Sequence, residues 1–318
     1  MRPDARIGVV GATGAVGTVT RRILRERGHE HVRAFASARS AGRELDGGLV
    51  VEEATPEALA AGDLDLVLFS VGTSPSRELV PHAVEGGALV VDKSSAYRLV
   101  DGYPLVVPEV NGARALEAVE TTRVVANPNC STIPLTCVLK PLHDAAGVRR
   151  VRVSTYQAVS GAGAQRMERL RAEPVPEHDL AFDWSWEGDE TDEESKLRAE
   201  TRKIMELPDL PVSATTVRVP VLVGHAESVW IETEEPLSPA EAESLLENAP
   251  SVRLVAEPGP RAAAQTDDVL VGRVREDRAA EANGLVLFLA CDNLNKGAAL
   301  NAIQIAELLL GAADRAPA

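Results

Sequence analysis

The chain has 318 residues, with 33 basic and 48 acidic side chains, so its formal net charge is −15. This excess of negative charge excludes a global attraction to nucleic acid or to an anionic membrane, and the longest apolar run is far short of the ~18 residues of a membrane-spanning helix. Its three cysteines are too few and too scattered for a disulfide framework or a metal site. We therefore expect a cytoplasmic protein with reduced thiols and no metal.

The first third of the chain alternates β-branched runs with helical stretches bounded by glycines. Predicted strands span residues 6–10, 32–37, 49–52, 64–71, 88–91 and 105–107. Predicted helices span residues 15–27, 56–61 and 76–85. This alternation is typical of βαβ units on a parallel sheet.

Beyond residue 128, longer strands joined by few helices are predicted. They span residues 148–159, 214–222, 228–235, 269–275 and 284–289. Residues 174–194 are acidic, contain Trp184 and Trp186, and are interpreted as an excursion from the sheet. Ser238 and Glu241 predict the capping box of another helix. The fold class is therefore α/β, a Rossmann-type parallel-sheet domain followed by an α+β domain with a mixed sheet.

A glycine-rich loop follows the first predicted strand and opens the first helix. Its glycines permit a tight turn and a close backbone approach, and a helix N-terminus attracts a pyrophosphate. We expect dinucleotide binding by Gly11, Thr13, Gly14, Ala15, Val16 and Gly17. The alternative is a plain strand-to-helix turn.

The residues after the second predicted strand bear on the choice of dinucleotide. NAD-binding chains usually carry an acidic residue there, whereas this chain has Ser37, Arg39 and Ser40. No carboxylate would repel a 2′-phosphate, so the cofactor is predicted to be NADP. Alternatively, Arg39 is a solvated surface residue.

Cys130 lies in a polar stretch, after a predicted strand and a proline turn and at the start of a predicted helix. A helix N-terminus favours the thiolate, the form that attacks a carbonyl group. Cys130 is therefore the candidate nucleophile, whereas Cys137 and Cys291 are interpreted as small apolar core residues.

A nucleophilic cysteine needs a partner that exchanges protons, and the chain has six histidines. We select His225 because it follows Gly224 at the predicted end of an apolar strand, where a bend would present its ring. The other five are interpreted as solvated surface residues.

Eight ordered sequence blocks together resemble the aspartate-β-semialdehyde dehydrogenases. They lie at residues 11–17, 37–42, 94–98, 127–132, 157–163, 200–204, 218–225 and 292–304, so the resemblance covers nearly the whole chain. It implies the reversible, NADP-dependent reductive dephosphorylation of L-aspartyl-4-phosphate to L-aspartate 4-semialdehyde and phosphate.

The resemblance also implies residue roles. Cys130 would form a thioacyl enzyme, with His225 as its acid/base partner and Gln157 orienting the acyl group. Arg218 would bind the substrate α-carboxylate, Glu200 its ammonium, and Arg98 and Lys203 the phosphate, with Asn129 nearby. The implied additions to the cofactor site are Gly161, Gly163, Asn301 and Gln304.

The resemblance further predicts the domain division and the partners. Residues 1–128, completed by a C-terminal helix at 297–318, would form the NADP-binding domain, and residues 129–296 the catalytic and dimerisation domain. The partners would be the small-molecule substrate and further copies of the chain, in a homodimer or homotetramer.

Two departures from the family pattern are visible. Lys93 stands where the family usually has asparagine, and the chain between Gly163 and Glu200 is shorter than usual. Three alternatives stay open at this point. They are N-acetyl-γ-glutamyl-phosphate reductase, a specialised-metabolism enzyme acting on a modified aspartyl compound, and an NADP-binding regulator without turnover.

Overall fold

The computed structural model describes residues 4–173 and 181–313, with side chains to residue 312. The first part of the predicted excursion and the last residues of the predicted C-terminal helix lie outside these ranges. The chain divides into two compact units, residues 1–128 with 298–318, and residues 129–297. Among the described residues, no helix is long and apolar enough to cross a membrane.

The first unit is built on a seven-stranded sheet. Its strands are β1 Ile7–Val10, β2 Val32–Ala36, β3 Glu44–Leu45, β4 Leu49–Glu53, β5 Leu66–Phe69, β6 Leu89–Asp92 and β7 Val124–Ala126. The helices between them are α1 Ala15–Glu26, α2 Pro56–Leu59, α3 Thr73–Glu85, α4 Pro108–Asn111 and α5 Ala113–Glu117. The strand order is β3-β4-β2-β1-β5-β6-β7, and every pair is parallel except β3 with β4.

The central strands of this sheet are short and completely buried, as expected when helices cover both faces of a parallel sheet. β1 pairs with β2 on one side and with β5 on the other, so the strand order reverses at β1. Ligands of such sheets bind beyond the carboxyl ends of the strands at this reversal. The glycine loop follows β1 and therefore lies at that position.

One predicted strand of this unit is wrong. Residues 105–107 form only a single bridge, from Leu105 to Ala126, and the edge strand is the unpredicted β7. Prolines flank this stretch at positions 104 and 108. Since proline has no N–H to donate and fixes its own φ, the stretch cannot extend into a regular ladder.

The second unit contains a six-stranded mixed sheet and a small hairpin. Its strands are β8 Val148–Gln157, β9 Trp186–Glu187, β10 Glu190–Thr191, β11 Val212–Arg218, β12 His225–Thr233, β13 Val252–Leu254, β14 Val269–Glu276 and β15 Gly284–Cys291. Its helices are α6 Thr132–Ala146, α7 Ala164–Ala172, α8 Asp192–Met205, α9 Pro239–Glu247 and α10 Pro260–Ala263. The sheet order is β11-β8-β12-β15-β14-β13. The outer pairs β11–β8 and β13–β14 are parallel and the inner pairs antiparallel, which confirms the predicted α/β class with a mixed second sheet.

The two faces of the second sheet differ in character. Along β8, Val151, Val153 and Gln157 are buried, whereas Arg152 and Tyr156 on the opposite face are exposed. Helix α6 packs against β8, β12 and β15. The capping box predicted for Ser238 and Glu241 is confirmed at the start of α9.

The chain returns to the first unit at its C-terminal end. A π-helical stretch at Asn295–Leu300 leads into α11 Asn301–Ala313. The residues of α11 buried in the core of the first unit are Ala302, Ile303, Ile305, Ala306, Leu309 and Leu310. This core also contains Ile7, Leu66 and Val91 from β1, β5 and β6.

Candidate active site

Cys130 lies immediately before the first turn of α6, whose N-cap is Ser131. The backbone N–H of Ser131 donates to the side-chain oxygen of Asn129 at 2.8 Å, and that of Ile133 to the backbone oxygen of Asn129 at 3.1 Å. These bonds fix the turn that carries the cysteine. The positive end of a helix dipole next to the sulfur favours a thiolate.

His225 provides the second group of the site. Its Nε2 atom lies 3.2 Å from Cys130 Sγ, and its Nδ1 atom accepts the backbone N–H of Ala158 at 3.0 Å. Because a backbone N–H can only donate, Nδ1 carries no proton, and the neutral ring holds its proton on Nε2. The Nε2–H group therefore donates toward the sulfur.

The surroundings of His225 reinforce this protonation state. Burial, followed by the positive charge of Arg218, lowers the pKa of His225 well below its ordinary value. An imidazolium would also need a proton on Nδ1, where the Ala158 N–H already points. The ring is therefore neutral at physiological pH and acts as a hydrogen-bond donor.

The predicted position of His225 in its strand is wrong, because this residue begins β12 instead of ending the preceding strand. β11 stops at Arg218, and Gly224 adopts a φ of +98° directly before the histidine. Pro220 lies between the two strands. A proline and a left-handed glycine interrupt the β pattern that the apolar residues suggest.

Gln157 ends β8 beside this pair. Its Nε2 atom donates to Glu193 at 2.9 Å and lies 3.5 Å from His225 Nε2, while its oxygen accepts the Thr155 hydroxyl at 3.0 Å. These partners fix which way the amide points. The same Glu193 oxygen accepts the Asn129 side-chain amide at 2.9 Å, so one carboxylate joins the turn of the cysteine to Gln157.

Glu193 is a site residue that the sequence did not predict. It lies in the first turn of α8, where acidic residues are common because they complement the helix dipole. The available signal was the stripe Glu193, Leu197, Glu200 and Ile204, whose spacing places all four on one face, and all four are buried. Two acids on a buried face indicate polar partners inside the fold.

The structure gives the predicted ammonium ligand Glu200 a partner within the protein. Glu200 is completely buried, and its Oε2 atom accepts the backbone N–H of Asn129 at 2.6 Å. Lys203 follows one turn later on α8 and is partly buried. α8 thus supports the turn of Cys130 through two carboxylates, those of Glu193 and Glu200.

Arg218 and Gly161 lie close to His225. Arg218 ends β11, next to Gln157 of β8, and its Nη1 atom donates to the Ala158 carbonyl at 3.0 Å. A methyl group added at Gly161 would lie 3.1 Å from Arg218 Nη1 and 3.4 Å from the His225 ring. Gly161 therefore leaves room for both side chains. Gly163, two residues later, adopts a φ of +98° before α7.

In the first unit, the glycine loop is held by backbone packing. Gly11 has a φ of +82°, and a methyl group there would lie 2.4 Å from the Ser70 carbonyl oxygen. A methyl group at Gly17 would lie 2.2 Å from the Gly11 oxygen. Thr13 precedes Gly14, the N-cap of α1, and Ala15 and Val16 are its first residues. Only glycines at the first and third positions of the motif allow this close packing.

The residues predicted to recognise a 2′-phosphate follow β2. Ser37 is the N-cap of a short 3₁₀ turn at Ala38–Ser40, and Arg39 is exposed on it. This places two hydroxyl groups and a guanidinium beyond the strand next to β1.

Other predicted ligands of the first unit make hydrogen bonds within it. Arg98 donates to the backbone oxygens of Asn127 at 3.0 Å and Lys93 at 2.7 Å. Asn301 donates to the Asn127 side chain at 2.8 Å, and Gln304 to Glu109 at 2.9 Å. These bonds fix the orientations of the three side chains.

Lys93 directly follows β6, and its side chain points toward the first helix. Its Nζ atom lies 3.2 Å from the Thr20 hydroxyl on α1. Burial, offset in part by Asp92, lowers the pKa of Lys93 from 10.5 to about 7. The lysine therefore turns inward against α1, the helix that follows the glycine loop.

Two family models match the chain. One is described as the NAD binding domain of semialdehyde dehydrogenase and matches residues 6–118, and the other as its dimerisation domain and matches residues 139–296. The aspartate-semialdehyde dehydrogenase of Streptomyces akiyoshiensis is 44% identical over 337 residues, covering 96% of this chain and 98% of the relative. This chain belongs to the aspartate-semialdehyde dehydrogenase family.

Solved structures agree with membership of the aspartate-semialdehyde dehydrogenase family. Aspartate semialdehyde dehydrogenase II from Vibrio cholerae, complexed with ASA, has a TM-score of 0.89 and 36% identity, covering 97% of this chain and 98% of that one. The Candida albicans enzyme with NADP has a TM-score of 0.79 and 26% identity, covering 98% and 99%. The resemblance seen in the sequence blocks is confirmed, and the chain is an oxidoreductase of this family.

Proposed function

We propose that the protein is an NADP-dependent aspartate-semialdehyde dehydrogenase that interconverts L-aspartyl-4-phosphate and L-aspartate 4-semialdehyde plus phosphate through a thioacyl group on Cys130. The observation that carries this proposal is the 3.2 Å approach of Cys130 Sγ to His225 Nε2, beside Gln157 and Arg218. The names of relatives such as the Streptomyces enzyme, which match over nearly the whole chain, support the same substrate.

The first step in the oxidative direction is addition of the Cys130 thiolate to the aldehyde carbon. A carbon–sulfur bond forms, and the carbonyl oxygen becomes an oxyanion. The N-terminus of α6 and the His225 Nε2–H group both stabilise the anionic sulfur before attack. No base is needed when the sulfur is already deprotonated.

The role we assign to His225 follows from its fixed proton. With Nδ1 occupied as an acceptor, the ring offers Nε2–H to the sulfur and then to the oxyanion formed next to it. Loss of hydride from the oxyanion gives the thioester without any proton transfer. Phosphate then attacks the thioester, which releases the thiolate and forms the acyl phosphate. His225 thus acts chiefly as a donor to successive anions.

The glycine loop fits a dinucleotide. Added methyl groups at Gly11 and Gly17 would collide with the backbone, so the loop is drawn tightly against the start of α1, a site that favours a pyrophosphate. Ser37, Arg39 and Ser40 would hold the 2′-phosphate of NADP. NADP, when bound, supplies the hydride acceptor. Placement of Gly161, Gly163, Asn301 and Gln304 at the nicotinamide remains a prediction from the family resemblance.

Arg218 is the proposed ligand of the substrate α-carboxylate. It is 6% exposed, and its Nε atom has no partner within the described residues. Buried guanidinium groups are normally hydrogen-bonded, and a carboxylate matches their fork. Glu200 for the ammonium, and Arg98, Lys203 and Asn129 for phosphate, remain predictions from the same resemblance.

We also propose that the protein forms homodimers through the open face of the second sheet. This face carries Tyr156 stacked on Phe288, with ring centres 6.0 Å apart, and Trp230 paired in register with Arg152. The family model covering it is described as a dimerisation domain. Light scattering after size exclusion should give twice the chain mass, and Tyr156→Arg should lower it; a monomeric wild-type protein would contradict the proposal.

The function is tested with purified protein, NADP, phosphate and L-aspartate 4-semialdehyde, by following absorbance of the reduced cofactor. We expect phosphate-dependent NADP reduction, with much lower rates when N-acetylglutamate semialdehyde or NAD is substituted. Absence of turnover with L-aspartate 4-semialdehyde, while NADP still binds, would refute the proposed activity. Faster turnover of the N-acetylated substrate would assign the related reductase reaction instead.

A further inference from the structure

Between Gly163 and Glu200 the chain is shorter than is usual in the family. Within this stretch, residues 181–184 lie directly against Arg218. The Arg218 guanidinium carbon is 4.3 Å from the centre of the Trp184 ring, in a cation–π arrangement. The same segment accepts the backbone N–H of Arg218 at the Ala181 oxygen, at 3.0 Å. Asp183, next to the tryptophan, is paired at 2.7 Å with Arg166 of α7. The contacts of Ala181 and Asp183 thus hold the chain in place directly before the indole.

The contacts of Arg218 determine which part of its guanidinium is available to a ligand. Trp184 covers one face, and Nη1 is engaged by the Ala158 carbonyl at 3.0 Å. Nε, by contrast, has no acceptor among the residues that the structure describes. A ligand carboxylate would therefore meet the in-plane edge that includes Nε, an approach that permits two parallel hydrogen bonds.

The stacking on Trp184 adds to the restraint that the Nη1 hydrogen bond to the Ala158 carbonyl places on the Arg218 side chain. The carboxylates of Glu193 and Asp183 attract the charge of Arg218, while Arg166 repels it. An aromatic face restricts the guanidinium plane, which charges alone do not fix. Gly161 provides the space on the Nη1 side.

We propose that Trp184 is a positioning residue for Arg218 and, through it, determines the affinity of the enzyme for the carboxylate of its substrate. The inference rests on the proposed function, because it takes Arg218 as the carboxylate ligand. The ligand class is a small amino acid derivative whose α-carboxylate is free.

The kinetic test compares two tryptophans of one segment. Trp184→Ala should raise KM for L-aspartate 4-semialdehyde about tenfold and change kcat less than about twofold, since it weakens ground-state and transition-state binding alike. Trp184→Phe, which keeps an aromatic face, should recover most of the affinity. Trp186→Ala is the matched control, because Trp186 is 59% exposed and packs on Phe182 instead of Arg218.

A double-mutant cycle separates positioning from folding of the segment. If Trp184 acts through Arg218, Trp184→Ala should add little to the KM increase of Arg218→Ala. Additive effects would mean that the tryptophan acts independently of the arginine and would overturn the proposal. So would an unchanged KM in Trp184→Ala, provided the wild-type enzyme is active.

A binding measurement keeps the test independent of turnover. The chain has three tryptophans, so Trp186→Phe with Trp230→Phe leaves Trp184 as the sole indole reporter. Titration with L-aspartate should change its fluorescence saturably, and Arg218→Ala should abolish the change. If the wild-type enzyme is inactive but this response is present, the proposed function fails and the inference stands. Absence of the response would overturn the inference.

Discussion

The glycine loop of the first unit and the cysteine centre of the second differ in what they are made of. The loop from Gly11 to Gly17 is shaped by backbone atoms, its own and those of Ser70, and side chains matter there mainly by being absent. The centre is assembled from side chains that directly precede α6 and from others on β8, α8, β11 and β12, spanning Asn129 to His225. Added atoms at Gly11 or Gly17 should therefore disrupt the loop, whereas the centre should be disrupted by the loss of side-chain atoms.

The largest effect is expected from removing an atom of the centre. Cys130→Ala should lower kcat at least ~10³-fold, because the covalent step has no other nucleophile, and should leave NADP affinity unchanged. Steady-state rates and isothermal titration with NADP provide the two measurements. Cys137→Ala, at a buried position of α6, is the control. Retained turnover in Cys130→Ala would remove the basis of the proposed mechanism.

Adding an atom to the loop is the converse experiment. Gly17→Ala introduces a methyl group 2.2 Å from the Gly11 oxygen and 2.9 Å from Ala12, so the loop must shift. NADP affinity should fall on the order of 100-fold, with loss of thermal stability. Gly14→Ala is the matched control for stability, because its methyl group would be 3.4 Å from the nearest atom, the Gly11 oxygen. Equal losses of thermal stability in both variants would show that tight packing is not the reason for Gly17.

An intermediate effect should come from the carboxylate that joins two parts of the centre. Glu193→Gln keeps the shape but makes both hydrogen bonds, to Gln157 and Asn129, neutral. We expect kcat to fall about tenfold with little change in NADP affinity, because charge-assisted bonds are roughly twice as strong as neutral ones. Glu190→Gln, which disrupts only the ion pair with Arg198, is the control. Unchanged kcat in Glu193→Gln would mean that this charge is dispensable.

The smallest effect is a change in thermal stability and concerns Lys93. Its side chain lies against α1, the helix that follows the glycine loop. Its folded-state pKa of about 7 lies below the ordinary 10.5, so burial of its charge destabilises the fold below pH 7. This penalty shrinks as pH rises from 7 toward 10.5, where the unfolded chain also loses the proton. Lys93→Met should therefore raise Tm by about 3 °C at pH 6 and by progressively less toward pH 10. A shift in Tm that does not vary with pH would contradict the buried charge.

The contrast between the glycine loop and the cysteine centre also explains which site residues could be predicted from the sequence. Gly11, Gly14 and Gly17 predict the loop correctly because the strand, the turn and the helix that define it follow each other directly along the chain. Cys130 could be selected because its proline turn and helix start are also local. The error at residues 105–107 was local too, but the two prolines outweighed the apolar pattern.

Residues that act across long sequence distances were harder to predict. His225 was selected as a partner for Cys130, yet its contact with Ala158, which fixes the proton on Nε2, depends on the pairing of β8 with β12. In the sequence, Glu193 cannot be distinguished from any other acidic residue in the first turn of a helix. Its role becomes visible only in the structure, where α8 packs against α6. Trp184 approaches Arg218 through tertiary contacts, among them the hydrogen bond from the Arg218 N–H at the end of β11 to the Ala181 oxygen.

The return of α11 to the first unit also constrains the order of events during synthesis. Ile303, Ile305 and Leu309 belong to the core around β1 and β5, yet the ribosome makes them after every residue of the second unit. Domains generally fold as units while the chain emerges. In this chain, all residues of the second unit are synthesised before those of α11. The sheet of the first unit therefore keeps an uncovered apolar face until α11 emerges from the ribosome. A chaperone that binds exposed apolar surfaces could therefore bind the sheet of the first unit for longer than any part of the second unit.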